Sequence, residues 1–86
     1  MGVTYTVRVK DSAERELRRL PQKDNQRVIN RLQGLASAPR PPGCVRLAGE
    51  DSYRVRQGDY RIVYTVDDQN RIVLVTKIRH RREVYR

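Results

Sequence analysis

The apolar residues of this chain change their period at a proline-rich loop, and that switch limits the fold more than any other feature. Before Ala38-Pro39-Arg40-Pro41-Pro42-Gly43 they recur at helical spacing; after it they alternate with polar residues. The first pattern builds one face of a helix and the second one face of a strand. Three prolines forbid helix in the loop and discourage strand. The chain is therefore helical before the loop and sheet-forming after it, with one further strand signal at its start. The loop is too short to separate two domains, so residues 1–86 form a single domain. A chain of this length holds one small core.

The leading segment, residues 3–9 (Val-Thr-Tyr-Thr-Val-Arg-Val), alternates and is β-branched, which predicts a strand. Asp11 followed by Glu14 resembles a capping box that opens a helix, and Ala13, Leu17 and Leu20 continue at helical spacing. Pro21 interrupts, and suits the first turn of a second helix from Gln22 to about Ser37. Val28, Ile29, Leu32, Leu35 and Ala36 make its apolar stripe. Beyond the loop, Ser52–Gln57, Tyr60–Val66 and Arg71–Ile78 read as strands, with Gly58-Asp59 and 67–70 as turns. The expected fold is α+β: a small β-α-α-β-β-β domain whose C-terminal strands are antiparallel, with a helical hairpin packed on one face. Leu17, Leu20, Val28, Leu32, Ile62, Tyr64, Leu74 and Ile78 are expected to be buried together.

Strand parity then sorts the charges. Tyr53 and Val55 share one face, Arg54 and Arg56 the other. Tyr60, Ile62, Tyr64 and Val66 oppose Arg61, Val63 and Thr65. Ile72, Leu74, Thr76 and Ile78 oppose Val73, Val75, Lys77 and Arg79. If the more apolar sets cover the helices, Arg54, Arg56, Arg61, Lys77 and Arg79 share the open face. An antiparallel sheet commonly has one wet face, and any single arginine there is ordinary surface. Five cations with no carboxylate among them are a different matter, because like charges on neighbouring strands cost roughly a few tenths to 1 kcal/mol per pair. A bound polyanion would offset that cost.

Net charge agrees. Nineteen Lys and Arg oppose ten Asp and Glu, a formal +9, and all the cations but Lys10, Lys23 and Lys77 are arginine. Guanidinium grips phosphate as a fork and stacks on rings. The tail, Lys77-Ile-Arg-His-Arg-Arg-Glu-Val-Tyr-Arg86, adds Arg81, Arg82, the only histidine, His80, and Tyr85, a ring on which a base can stack. Tyr53, Tyr60 and Tyr64 fit the core. One cysteine, Cys44, cannot form an internal disulfide, which suits the cytoplasm. One His and one Cys do not make a zinc site, and no glycine-rich phosphate loop is present. No apolar leader or membrane-spanning run is read in the sequence. Neither a metal, another cofactor nor a membrane is expected.

Tyr53-Arg-Val-Arg-Gln-Gly-Asp-Tyr-Arg-Ile-Val-Tyr64 and Lys77-Ile-Arg-His-Arg-Arg-Glu-Val-Tyr-Arg86 resemble RelE-type toxins of bacterial and archaeal toxin–antitoxin pairs. Leu17-Arg-Arg-Leu-Pro21 and Arg46-Leu-Ala-Gly49 fit as well, so the resemblance covers essentially the whole chain. It implies a toxin that enters the ribosomal A site and cuts mRNA: the ribose 2′-OH attacks the adjacent phosphate without metal, leaving a 2′,3′-cyclic phosphate and a 5′-OH. It implies as partners the ribosome, mRNA and a cognate antitoxin, with which the toxin forms a hetero-oligomer. Alignment on the shared Tyr-Arg and Val-Tyr anchors places groove positions on Arg54, Arg56, Arg61, Arg79 and Tyr85, with Arg81 on a further basic one. The candidate catalytic residues are Arg56, Arg61, Arg79, His80 and Tyr85; the candidate RNA-binding residues are Arg54, Lys77, Arg81 and Arg82. Where the best-known member has lysines, this chain has Arg54 and Arg56. Arginine almost never serves as a general base, which leaves His80 as the side chain of the region suited to acid or base work. Two other functions stay open: a ParE-like toxin that binds DNA gyrase on the same fold, and a binding module without chemistry.

Overall fold

A computed structural model describes residues 4–48 and 51–84. The elements run β1 (Thr6–Val9), α1 (Asp11–Arg19), α2 (Gln22–Gly34), β2 (Val45–Leu47), β3 (Ser52–Gln57), β4 (Tyr60–Asp67), β5 (Ile72–His80) and α3 (Arg81–Val84). The five strands form one sheet in the order β1-β5-β4-β3-β2. β1 runs parallel to β5 and the other neighbours are antiparallel. The expected helical hairpin covers one face. Two elements go beyond the expectation: the three-residue edge strand β2 and the single turn α3.

The helices begin and end for local reasons. Lys10, not Asp11, occupies the N-cap of α1, and no side chain caps it. Asp11 and Glu14 therefore do not make the expected capping box; they lie in the first turn, where the helix dipole favours negative charge. Leu20 and Pro21 are extended, at ψ 145° and 144°, and break the chain between α1 and α2. Asn25 spans the break, donating from Nδ2 to the Leu17 carbonyl at 2.8 Å. α2 ends at Gly34, short of Ser37. The turn beyond it returns to the sheet, with the Tyr5 amide donating to the Ala36 carbonyl at 2.7 Å.

Between hairpin and sheet lies one core: Ala13, Leu17, Val28, Leu32 and Leu35 from the helices, against Tyr53, Val55, Ile62, Tyr64, Val66, Val73, Val75 and Ile78. Leu20 is only half-buried against it, and Leu74 lies on the other face of the sheet. Leu74 was misplaced because β5 does not alternate throughout. Val63 pairs with Lys77 but Tyr64 pairs with Val75, so Thr76 is an extra residue opposite β4. This β-bulge resets the parity. It lets Val73 and Val75 before the bulge and Ile78 after it all face the helices, while Lys77 and Arg79 stay on the open face. The Thr76 hydroxyl donates to the Val63 carbonyl at 3.3 Å.

The proline loop is tied down by its side chains. Arg40 donates to both carboxylate oxygens of Asp68, at 3.1 and 2.8 Å, and from Nε to the Tyr53 hydroxyl at 2.9 Å. Tyr5 donates to the same carboxylate. The Tyr64 hydroxyl donates to the Pro39 carbonyl at 2.8 Å, and burial pushes its ionisation well above the ordinary tyrosine range.

Candidate nucleic-acid interface

The register sets the open face out in cross-strand rows. Arg56 stands opposite Arg61, and Arg61 opposite Arg79, so three arginines line up at the hairpin end of the sheet. The next row holds Val45, Arg54, Val63 and Lys77. The third holds Leu47, Ser52, Thr65, Leu74 and Arg8. Parity places these residues away from the helices, whose side takes Tyr53, Val55, Ile62 and Tyr64. The described part of these three rows contains no carboxylate; Asp67 stands beyond them, opposite Ile72.

The three arginines differ in burial. Arg56 and Lys77 are exposed, while Arg54, Arg61 and Arg79 are half-buried among their neighbours. Arg61, central in its row, has its Nε out of solvent. Opposed pairs hold their Cβ atoms only about 4.5–5.5 Å apart. A guanidinium fixed there by packing loses little freedom when it binds an anion, and low local dielectric strengthens the contact. Such a row can hold concentrated negative charge.

Arg8 belongs to this face and was not anticipated. Its signal lay in the Val7-Arg8-Val9 alternation, but the parallel partnership of β1 with β5 that brings Arg8 opposite Leu74 is non-local. Val45, the one exposed large apolar residue among those described, lies opposite Arg54. The basic face therefore also carries the apolar side chains of Val45, Val63 and Leu74, with Arg54 between the two valines.

The tail departs from expectation in one respect. His80 stands opposite Tyr60, on the same side of the sheet as Ile78, and not on the arginine face. Its ring meets Tyr60 edge-on at 5.3 Å. Arg81 and Arg82 are exposed at the start of α3. Arg81 lies 3.7 Å from Asp59 of the β3–β4 turn. Tyr85 lies outside the described residues. No group of three or more His, Cys, Asp or Glu among the described residues is arranged to hold a metal ion. No described helix is long and apolar enough to cross a membrane.

The sequence and the fold both match known proteins. The family described as "ParE toxin of type II toxin-antitoxin system, parDE" matches residues 7–85. Toxin RelG of Mycobacterium tuberculosis is 34% identical over 86 residues, covering 95% of this chain and 97% of that protein. The crystal structure of the M. tuberculosis toxin–antitoxin complex RelBE2 contains a chain that superposes with a TM-score of 0.81 at 30% identity, covering 91% of this chain and 99% of that one. A chain of the archaeal RelE–RelB complex from Pyrococcus horikoshii OT3 gives 0.80 at 27% identity, with 91% and 96% covered. On its sequence and its fold together, this chain belongs to the RelE/ParE superfamily of type II toxin–antitoxin toxins.

Proposed function

We propose that this toxin is a ribosome-dependent mRNA endoribonuclease, and that the row Arg56–Arg61–Arg79 is its reaction site. The observation that carries this reading is the row itself: three arginines opposite one another on neighbouring strands, two of them half-buried. In the reaction the 2′-oxygen bonds to the adjacent phosphorus and the bond to the 5′-oxygen breaks. The products are a 2′,3′-cyclic phosphate and a 5′-OH. Negative charge peaks on the phosphorane oxygens in between. Arg61 and Arg79 meet that charge, and fixed donors aimed at developing charge are the strongest single device available to a site. Arg56 holds the reacting phosphate beside them, Arg54, Lys77 and Arg8 hold the flanking phosphates, and Tyr85 stacks on a base. A guanidinium offers no acceptor, so the 2′-OH proton passes to water or to a non-bridging phosphate oxygen, and the departing 5′-oxygen takes its proton from water. The ribosome supplies orientation by holding the codon in a reactive geometry.

The cognate partner in this reading is an antitoxin with an acidic segment that covers the arginine rows and apolar residues that meet Val45, Val63 and Leu74. Cytoplasmic residence follows from a ribosomal target. The family described as ParE favours a second reading, a toxin that binds DNA gyrase. Primer extension on a translated mRNA after induction separates the two. Cuts inside codons that disappear when translation is blocked support the nuclease. Intact mRNA accompanied by DNA damage supports the gyrase reading and overturns ours.

A further inference from the structure

α3 is one turn long. A single turn does not hold itself together in water, because nucleating a helix fixes several dihedrals for one hydrogen bond. Its place depends on what satisfies its first amides, which have no partner within the helix. Two contacts do so. The Arg81 amide donates to the Asp59 carbonyl at 2.7 Å. The Arg82 amide donates to His80 Nδ1 at 3.2 Å. The imidazole thus fills the N-cap role usually taken by Ser, Thr, Asp or Asn. The bond requires the tautomer that carries its proton on Nε2. Tyr60, itself packed against the core, braces the ring edge-on at 5.3 Å. The Asp59 carboxylate lies 3.7 Å from the Arg81 guanidinium. Asp59 and Tyr60 belong to the hairpin that also carries Arg56 and Arg61.

We propose that His80 is a positioning residue: as N-cap of α3, braced by Tyr60, it docks the C-terminal turn and its arginines on the β3–β4 hairpin, at the end of the sheet that carries the arginine row. Its effect on RNA cutting rests on the function proposed above; the docking does not. Two facts set this role apart from proton transfer. His80 lies on the opposite side of the sheet from Arg61 and Arg79, and the nitrogen a general base would use is engaged by a backbone amide.

The test compares wild type, His80→Ala and His80→Asn as full-length chains. Asparagine keeps a side-chain acceptor at the cap and cannot act as a base. Hydrogen exchange at the Arg82 amide reads the docking directly. His80→Ala should speed exchange there by about 2- to 30-fold, the range for a lost N-cap, and His80→Asn should restore protection. Cutting of ribosome-bound mRNA should follow the same order, with His80→Asn close to wild type. Unchanged exchange in His80→Ala overturns the proposal. So does a His80→Asn variant that regains protection yet cuts no better than His80→Ala, which would make the imidazole the proton carrier. If wild type cuts no mRNA, the nuclease reading fails and the exchange measurement alone decides the docking.

Discussion

On the proposed binding face, single residues set fold stability against phosphate binding. Arg56 is exposed and directly opposite Arg61. Arg56→Glu turns a repulsive cross-strand pair into an attractive one, which should stabilise the fold by roughly a few tenths to 1 kcal/mol. The same change should weaken RNA binding and lower its salt slope by about one. Urea unfolding and binding titrations at several salt concentrations check both halves; loss of stability together with unchanged binding would contradict the assignment. Asp68 makes a different case. Hydrogen bonds from Arg40 and Tyr5 hold its carboxyl at about 2, below the ordinary 3.8. A depressed carboxyl stabilises the fold above its unfolded value and loses that contribution as pH falls through the folded one. Asp68→Asn should therefore lower the melting temperature at neutral pH, by an amount limited by solvent exposure. The gap to wild type should close between pH 4 and pH 2. A gap that persists at pH 2 would mean the clasp acts by something other than charge.

Among the elements, those with a periodic apolar face were legible, the four-residue β1 included, and β2 and α3 were not. The helical hairpin and the three long strands follow from periodicity, because each buries one face against the same core. β2 has three residues and gains its identity only by pairing with β3, a non-local fact. α3 is one turn held by the contacts of Asp59 and His80. The bulge at Thr76 was hidden for a related reason: nothing in Val-Leu-Val-Thr-Lys-Ile distinguishes an inserted residue from steady alternation. Strict alternation gave Lys77 and Arg79 the right face and Leu74 the wrong one. His80 is hidden for another reason: in the sequence it belongs to a basic tail, and only its pairing with Tyr60 makes it the next core-side position after Ile78. Deleting Thr76 tests this account. With the extra residue gone, Val75 and Lys77 become neighbours opposite Tyr64 and Val63 in a regular ladder, so Lys77 and Arg79 stay on the open face. The deletion variant should fold by circular dichroism, and Thr76→Val should lose little beyond one hydrogen bond, about 0.5–1.5 kcal/mol. A deletion variant that fails to fold would refute the register.

At the scale of the whole molecule, the two faces divide the work. The helix side closes the core, and the open side gathers Arg8, Arg54, Arg56, Arg61, Lys77 and Arg79 from four strands. The arginine row was legible because parity on β3 and β4 is regular; Arg8 was not, because its place depends on the parallel pairing of the first strand with the last. The central claim is that this row stabilises charge which exists only while the RNA backbone is being cut. Single-turnover cutting of an A-site codon on programmed ribosomes, at saturating toxin, tests it most directly. Arg61→Ala and Arg79→Ala should each slow cutting by about 10²–10³-fold, the usual loss for one such donor, while binding to the ribosome changes little. If either variant cuts at the wild-type rate once bound, or loses activity only in proportion to lost binding, the row is a phosphate grip and not the reaction site.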